Sequence, residues 1–352
     1  MNRHKLAQFF EKRREAGVPL VLATVYDTAG STYSKPGARM LIDADGIFQG
    51  MLSGGCLEGD LAIRAQVAVE SGRAQYADYN LADSNDELWG LGVGCDGRMR
   101  ILLQPLTAAT GYEPFASIAR TELGLRRTLA ITLIEPPLND AAPGATLLVA
   151  GGEVQNFGFP DALCEEIMRS APVQDASDFV GLADLPWQAA SISLLYSIIH
   201  PTPRVLVLGA GLDAEPVVSM AAELGWLVTV ADHRPAYVEN NNFAGADRTL
   251  CLDAEQLAQE VELDEFDFAI VMSHHLASDR KYLAQLSGSR VPYIGLLGPK
   301  ARRRRLLDEL GERAQDLRGR LHGPAGLDLG GSGPAAIALS IVAQMQQFLG
   351  VD

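Results

Sequence analysis

The hydrophobic positions of residues 1–200 follow strand patterns more often than helix patterns. The predicted strands lie at 19–27, 76–83, 98–106, 126–135, 144–152 and 187–199, and the predicted helices at 1–17 and 160–172. Residues 39–52 predict a hairpin that turns at Asp45-Gly46. Apolar spacing of about 3.6 over residues 57–73 predicts a helix that stops at Gly72. We therefore expect a mixed domain with more strand than helix.

From Arg204 onward, apolar runs of strand length alternate with helical patterns. Such alternation is typical of a parallel sheet that is covered by helices on both faces. Pro201 and Pro203 precede this region and mark a boundary. We therefore predict an α/β protein of two domains, with an N-terminal mixed α/β domain at residues 1–200 and a C-terminal Rossmann-like parallel-sheet domain at residues 201–352.

The first turn of the second domain has the spacing of a dinucleotide-binding loop. In "VLVLGAGLDA", Gly209 permits a tight turn, Gly211 lets the backbone approach a pyrophosphate, and the small Ala214 lets the helix pack on the strand. Asp232 ends the next strand about 20 positions later, which is the spacing of a ribose-hydroxyl contact. Arg234 could instead pair with a phosphate. The ligand therefore stays open between NAD(P) and another phosphate-bearing molecule.

Basic residues and a further glycine loop follow at later strand ends. Lys300 and Arg302 lie at a predicted helix start, where they form either an anion clamp or a solvated basic face. A glycine loop at 326–333 leads into a helix with Pro334 at its first position. Because parallel strands end at one edge of a sheet, we expect these turns to converge there.

His274 and His275 lie at the end of a predicted strand and are the candidate proton donors of an oxidoreductase. A histidine at a strand end is more often a hydrogen-bonded structural residue. The sequence contains no Ser-His-Asp order, no H-E-x-x-H motif, no P-loop and no C-x-x-C motif. A nicotinamide-dependent oxidoreductase is therefore an alternative that lacks a defined catalytic acid.

The chain has 44 acidic and 29 basic residues, which gives a formal net charge of −15. Such a protein repels nucleic acid and anionic lipid, so we expect neither as a partner. No apolar run approaches the roughly 18 residues of a membrane span, and the charged N-terminus lacks a signal-peptide core. The four cysteines show no C-x-x-C spacing, which indicates free thiols. We expect a cytoplasmic protein.

The stretch "LSGGCLEGD" places Cys56 behind Gly54 and Gly55 at a predicted helix start. With Gly55 as the helix cap, Cys56 would be the first helical residue, and N–H dipoles there stabilise a thiolate, although Glu58 and Asp60 oppose this effect. Glycines let a backbone approach a ligand closely. The sulfur could ligate a soft metal or accept sulfur. The alternative is a small, buried, inert thiol.

Seven segments together resemble the XdhC/CoxI family, in order and over nearly the whole chain. They are "ATVYDTAGSTYSKPGARMLI", "LSGGCLEGDL", "GLGVGCDGRMRILLQPL", "VLVLGAGLDAEPVVSMAAELGWLVTVADHRPAYV", "VMSHHLASDRKYL", "YIGLLGPKARRRRLL" and "GPAGLDLGGSGPAAIALSIVAQM". Members of this family are accessory factors for molybdenum hydroxylases such as xanthine dehydrogenase. The second glycine loop of the family often reads Cys-Gly-Gly, whereas this chain has Cys95-Asp96-Gly97. Cys95 has the same glycine setting as Cys56, but this departure from the family pattern argues against a direct role for it.

The resemblance implies that the chain binds the molybdenum cofactor, a molybdopterin, as cargo. The chain would support sulfuration of this cofactor by a cysteine desulfurase and insert it into an apo molybdenum hydroxylase. The resemblance also suggests a homodimer. Cys56 is then the residue near the molybdenum or the incoming sulfur. The candidate cofactor-binding residues are Gly54, Gly55, Gly209, Gly211, Asp232, Arg234, Lys300 and Arg302.

Two alternatives to this accessory role remain. One is an NAD(P)-dependent oxidoreductase, and the other is a sulfurtransferase that carries a persulfide on Cys56. The sequence shows no clear catalytic acid–base pair, which favours a non-catalytic maturation factor over a dehydrogenase. Apart from the molybdenum of the cargo, we expect no metal site in the protein.

Overall fold

The computed structural model describes residues 2–80, 97–135, 141–170, 179–240 and 243–350. The chain divides into two compact units, Arg3–Pro201 and Thr202–Asp352, which we call the N-terminal unit and the C-terminal unit. Each unit has its own sheets and hydrophobic clusters. None of the described helices has the length and hydropathy needed to cross a bilayer.

Two five-stranded antiparallel sheets build the N-terminal unit. The first sheet and its helices comprise α1 (Arg3–Glu15), β1 (Leu20–Ala29), β2 (Arg39–Asp43), β3 (Phe48–Gln49), α2 (Glu58–Ser71), β4 (Gln75–Asn80) and β5 (Arg98–Leu106). Its strand order is β3-β2-β1-β5-β4. Alternate residues of a strand face the same side, so Val21, Ala23 and Val25 of β1 join Leu61 and Ala65 of α2 in one buried cluster.

The second sheet lies in the same unit and shares a core with the first. This part of the chain comprises α3 (Phe115–Glu122), β6 (Thr128–Glu135), β7 (Thr146–Ala150), β8 (Glu153–Phe157), α4 (Asp161–Arg169), β9 (Gly181–Trp187) and β10 (Ala190–Ile199). The strand order is β8-β7-β6-β10-β9. Phe10 of α1, Leu22 of β1, Phe115 of α3, Leu148 of β7 and Ile199 of β10 belong to one hydrophobic cluster. Both sheets therefore bury side chains in a common core.

The sequence-predicted elements of this unit are confirmed within the described residues. In the hairpin, the Asp43 side chain accepts the backbone N–H groups of Asp45 and Ile47, and Gly46 has a φ of 80°. Helix α2 ends at Gly72, which has a left-handed φ of 61°. Strands β8 and β9 and helix α3 are additions to the prediction. The two strands are edge strands with few buried side chains, and α3 has only eight residues, which is short for recognising a helix from its hydrophobic spacing.

A six-stranded parallel sheet forms the centre of the C-terminal unit. This unit comprises β11 (Arg204–Leu208), α5 (Ala214–Glu223), β12 (Leu227–Asp232), α6 (Pro235–Asn240), β13 (Arg248–Cys251), α7 (Leu257–Glu260), β14 (Phe268–Val271), α8 (Leu276–Ser287), β15 (Tyr293–Leu296), α9 (Lys300–Leu310), β16 (Leu321–His322) and α10 (Pro334–Leu349). The strand order is β13-β12-β11-β14-β15-β16. This is the order of a doubly wound Rossmann sheet, whose winding reverses between β11 and β14. The predicted parallel-sheet fold is therefore confirmed.

Helices cover both faces of this sheet. Val217 of α5 and Ile341 of α10 belong to the cluster on one face, and Leu257 of α7 and Leu283 of α8 belong to the cluster on the other. Pro334 is the first residue of α10, as predicted. Strands β13 and β16 were not predicted, because they are short and partly exposed. The turns that follow β11, β14, β15 and β16 lie at the carboxyl edge of the sheet, where such folds bind ligands.

Candidate functional site

One buried carboxylate organises the loop that carries Cys56. Glu58 is 2% exposed, and its Oε1 accepts the backbone N–H groups of Leu52 and Ser53, each at 2.9 Å. Its Oε2 accepts the Ser53 hydroxyl at 2.5 Å and the backbone N–H of Gly55 at 3.0 Å. Four donors therefore fold the loop around a single side chain.

These hydrogen bonds also set the ionisation state of Glu58. Burial by itself raises the pKa of the carboxyl, but the hydrogen bonds from the Ser53 side chain and from the backbone of Ser53 and Leu52 together lower the pKa below its ordinary value. Glu58 is therefore ionised at neutral pH. The neighbouring acid, Asp60, accepts hydrogen bonds from Arg64 Nε and the Tyr79 hydroxyl, each at 2.6 Å. The negative charge of Asp60, in the first turn of α2, is thus paired with Arg64 of the same helix.

The helix begins later than the sequence indicates. Helix α2 starts at Glu58, and Leu57 is its N-cap residue. The prediction that Gly55 caps the helix and that Cys56 opens it is therefore wrong. The physical reason is the Glu58 carboxylate, which draws the preceding residues into a loop around itself. Cys56 lies in that loop before the N-cap and is half-buried.

The two glycines before Cys56 have backbone conformations that other residues rarely adopt. Gly54 has a φ of 80° and Gly55 a φ of 109°. A Cβ at Gly54 would lie 3.5 Å from the ring of Tyr33, whereas no described atom would lie within 4 Å of a Cβ at Gly55. The loop is therefore open at Gly55, and a ligand can approach its backbone there.

A second loop, between β1 and β2, lies next to the Cys56 loop on one side and next to the start of β5 on the other. The exposed ring of Tyr33 packs on Gly54. Ser31 and Thr32 lie so close to Gly97 that a side chain at Gly97 would collide with the Ser31 carbonyl oxygen. Three glycine-containing segments of the sequence therefore meet at one end of the first sheet. Cys95 lies outside the described residues.

The turn after β11 has the geometry that its glycine spacing predicts. Gly209 has a φ of 124°, and a Cβ there would lie 2.6 Å from the carbonyl group of Met272 and from the backbone nitrogen of Ser273. Only glycine fits at this contact between the ends of β11 and β14. Gly211 lies in the turn, and α5 begins at the buried Ala214. The loop thus lies at the reversal point of the sheet, where doubly wound folds bind ligands.

The carboxylate of Asp232 lies at the end of β12, but its hydrogen bonds go to the protein itself. Asp232 is 0% exposed. Its Oδ2 accepts the backbone N–H of Ala210 at 2.7 Å, and its Oδ1 accepts the backbone N–H of Arg234 at 2.9 Å. Burial raises the pKa of this carboxyl, but the hydrogen bonds from Arg234 and Ala210 lower the pKa below its ordinary value. Asp232 therefore ties the glycine loop to β12.

The side chain of Arg234 is held by the same carboxylate. Its Nε lies 2.9 Å from Asp232 Oδ1, and its Nη2 lies 2.7 Å from Asp232 Oδ2. The guanidinium also lies over the ring of Tyr237, 3.8 Å from its centroid. A two-pronged ion pair and a stacked ring fix a guanidinium in one orientation. Arg234 therefore supports Asp232, and its outer edge stays in contact with solvent.

The two predicted members of a basic clamp have different surroundings. Arg302 Nη2 lies 2.6 Å and its Nε 3.2 Å from Oδ2 of Asp279, which is almost fully buried. Asp279 also accepts the Ser273 hydroxyl at 2.5 Å. Arg302 thus joins α9 to α8 and to the turn after β14. Lys300, the first residue of α9, is exposed.

The two histidines after β14 have separate structural roles. His275 is the N-cap of α8, and its Nδ1 accepts the backbone N–H of Ser278 at 3.3 Å. His274 has a φ of 60°, and its Nε2 lies 2.7 Å from Asp213 Oδ2. Asp213 was not singled out from the sequence. Its position inside the glycine loop, next to the start of α5, is the signal that could have found it.

The predicted site residues therefore form two groups, one around Cys56 and one at the carboxyl edge of the Rossmann sheet. A family model described as "XdhC and CoxI family" matches residues 13–80, and a model described as "XdhC Rossmann domain" matches residues 205–345. A Bacillus subtilis protein described as a probable xanthine dehydrogenase subunit is 31% identical over 327 residues, which are 93% of this chain and 92% of that protein. The chain belongs to the XdhC/CoxI family.

Two further proteins resemble this XdhC/CoxI chain. A solved structure from Bacillus halodurans, described as a xanthine dehydrogenase, has a TM-score of 0.79 and 27% identity, and the match covers 100% of this chain and 96% of that one. An uncharacterized Escherichia coli protein, YqeB, is 28% identical over 162 residues, which are 45% of this chain and 29% of that protein. The Bacillus halodurans structure has the same fold as each of the two units of the XdhC/CoxI chain.

Proposed function

We propose that this XdhC/CoxI protein is an accessory factor that binds the molybdenum cofactor, supports its sulfuration and delivers it to a xanthine dehydrogenase-type hydroxylase. Family membership and the description of the Bacillus subtilis relative support a role connected with xanthine dehydrogenase. The observation that carries the proposal is the Cys56 loop. Its thiol is half-buried and adjoins Gly55, where no described atom blocks the approach of a ligand.

The loop supplies the chemistry that such cargo requires. A cysteine sulfur is a soft ligand that suits molybdenum or an incoming sulfur atom. Gly54 and Gly55 let a pterin or its metal come close to the backbone. Glu58 orders the loop through four hydrogen bonds before any ligand binds. Ligand binding therefore loses less conformational entropy of the loop. Cys56 is therefore the residue that we expect to contact the cargo.

We also propose that the C-terminal unit, considered by itself, binds a phosphate-bearing ligand at its Rossmann loop, with a nucleotide-bearing pterin and NAD(P) as the candidates. Gly209 and Gly211 shape the turn that precedes α5, and a helix N-terminus favours a phosphate. Asp232 supports this turn from within, since it accepts the backbone N–H of Ala210. The exposed Lys300 at the start of α9 supplies a positive charge at the same edge.

The proposed role also defines the partners. An apo molybdenum hydroxylase would receive the cofactor, and a cysteine desulfurase would supply the sulfur. A second copy of the chain in a homodimer is part of the same proposal.

Anaerobic titration of the purified protein with molybdenum cofactor tests this function. We expect saturable, stoichiometric binding, measured by the fluorescence of the oxidised pterin, and a loss or clear weakening in Cys56→Ala. Cys164→Ala is the matched control, because Cys164 is also a half-buried thiol of the N-terminal unit but lies on α4. The control should bind the cofactor as the wild type does.

Parallel thermal-shift measurements with NADH and NADPH separate the alternatives. Strong stabilisation by a nicotinamide cofactor without any pterin binding would overturn the accessory role in favour of an oxidoreductase. Catalytic turnover of a sulfur donor by this protein alone, lost in Cys56→Ala, would identify a sulfurtransferase instead. Normal binding and delivery of the cofactor by Cys56→Ala would refute the role of Cys56.

A further inference from the structure

A pair of side chains covers the second glycine of the loop after β11. Asp213 Oδ2 lies 2.7 Å from His274 Nε2. A Cβ at Gly211 would lie 2.6 Å from Asp213 Oδ1 and 3.9 Å from His274 Cδ2. The Asp213 carboxylate therefore lies against the face of Gly211 on which any other residue would carry its Cβ.

This face of Gly211 is the one that a G-x-G-x-x-A loop uses to approach a pyrophosphate. The Asp213 carboxylate brings a negative charge to the same place, beside the first turn of α5, whose N–H dipoles favour an anion. The Asp213 side chain makes no capping hydrogen bond to α5. The carboxylate therefore lies where the anionic group of a ligand would lie. It is not held there by capping the helix, because it accepts no hydrogen bond from the first turn of α5.

His274 reaches Asp213 from the neighbouring strand end through an uncommon backbone conformation. Its φ of 60° lies in the left-handed region, which few residues other than glycine adopt. His274 follows β14, the strand that pairs with β11 at the reversal point of the sheet. The His274 side chain is 61% exposed and that of Asp213 only 16%. The imidazole thus shields the carboxylate from solvent and is itself open to movement.

We propose that Asp213 and His274 form a latch that occupies the phosphate position of the Rossmann loop. While the latch is closed, the carboxylate covers Gly211 and repels a phosphate group. A phosphate-bearing ligand binds after the carboxylate has moved away, and His274 can then donate a hydrogen bond to the phosphate. This property belongs to the C-terminal unit and goes beyond the proposed function, since it holds whether or not Cys56 contacts a pterin.

The latch makes the affinity for phosphate depend on the fraction of molecules in which it is open. The apparent dissociation constant is the intrinsic constant divided by that fraction. Removing the Asp213 carboxylate removes both the cover and the repulsion, so that the same loop should bind phosphate groups more tightly. Glu215, in the first turn of α5, contributes a nearby charge, but its carboxylate is not among the groups that lie against Gly211.

Calorimetric titration of the full chain with inorganic pyrophosphate tests the latch. We expect Asp213→Ala, which removes both the cover and the repulsion, to bind pyrophosphate at least about tenfold more tightly than the wild type. The nearly isosteric Asp213→Asn keeps the cover and removes only the negative charge, so its gain should be smaller, about fivefold. Glu215→Gln is the matched control, because it removes one charge from the same turn of α5. It should change the affinity by no more than about threefold. In the Asp213→Ala background, His274→Ala should lose part of the gain.

Several results would overturn the latch. One is wild-type affinity in both folded Asp213 variants, and another is an equal gain in Glu215→Gln, which would assign the effect to net charge. If Asp213→Ala lacks a cooperative thermal transition, Asp213→Asn decides the question. Stoichiometric pterin binding together with no gain for pyrophosphate would refute the latch and leave the proposed function intact. A gain for pyrophosphate in the Asp213 variants together with no pterin binding would support the latch and refute the proposed function.

Discussion

The loop around Cys56 depends on the ionised carboxylate of Glu58. Residues 52–55 have no ladder of regular backbone hydrogen bonds, and Glu58 supplies acceptors for three of their N–H groups and for the Ser53 hydroxyl. Hydrogen bonds to a charged group are stronger than those between neutral groups. The placement of Cys56 therefore rests on a residue that lies after it in the sequence.

We expect Glu58→Gln to lower the free energy of unfolding by about 1–3 kcal/mol at pH 7, because the amide nitrogen cannot accept a hydrogen bond that the carboxylate accepts. The fold lowers the pKa of Glu58 below its ordinary value of about 4.3. The ionised carboxylate therefore stabilises the fold above that pH, and this contribution is lost as the pH falls towards the folded-state pKa. Urea unfolding followed by circular dichroism at pH 7 and about pH 3.5 should show the difference shrinking.

Glu70→Gln provides the control for this prediction. Glu70 is an exposed residue near the other end of α2, so the same chemical change should alter stability by less than about 0.5 kcal/mol. Equal effects of the two substitutions, or a difference that grows in acid, would contradict the role of Glu58.

Individual residues also show how far the site could be predicted from the sequence. The spacing after Gly211 correctly placed Asp232 at the end of β12. The hydrogen bonds that occupy its carboxylate could not be predicted, because one donor, the backbone N–H of Ala210, reaches it only when β11 and β12 pair. Arg302 is a similar case, since its partner Asp279 belongs to a different helix. Sequence spacing predicts where such groups lie but not which partner each one selects.

At the scale of elements, strongly periodic or fully apolar segments were predictable and short edge elements were not. The glycine turns were also predictable, because a glycine in such a motif indicates that another group lies too close for a side chain. Gly209 is the clearest example, since its contact with the end of β14 joins the two central strands of the Rossmann sheet.

We expect Gly209→Ala to destabilise the C-terminal unit by about 3 kcal/mol or more. A Cβ there would lie 2.6 Å from backbone atoms of Met272 and Ser273, which cannot rotate away, and the φ of 124° adds backbone strain. The measurement is chemical unfolding of the full chain followed by circular dichroism.

Gly319→Ala separates the collision from the backbone strain. Gly319 lies in the same unit and has a φ of 81°, but no described atom would lie within 4 Å of its Cβ. We expect this substitution to cost about 1 kcal/mol, from the left-handed conformation alone. If the two substitutions cost the same, the contact between Gly209 and the end of β14 does not hold the sheet together in the way proposed.

At the scale of the molecule, the two functional groups of residues belong to units that have their own cores. In the C-terminal unit, both hydrophobic clusters consist of residues between Val205 and Leu349. Helix α10 contributes Ala338, Ile341 and Met345 to the cluster that covers one face of the Rossmann sheet. The latch can therefore be studied apart from Cys56 if this unit folds alone.

We expect a fragment of residues 202–352 to fold by itself, because its two clusters cover both faces of its sheet. Thermal unfolding followed by far-ultraviolet circular dichroism should show one cooperative transition. A shorter fragment of residues 202–332, which lacks α10, is the control and should lose that transition, because Val217 and its neighbours would be exposed to water. If the longer fragment shows no cooperative transition while the full chain does, the C-terminal unit requires the rest of the chain, and the Asp213 variants can be interpreted only in the full chain.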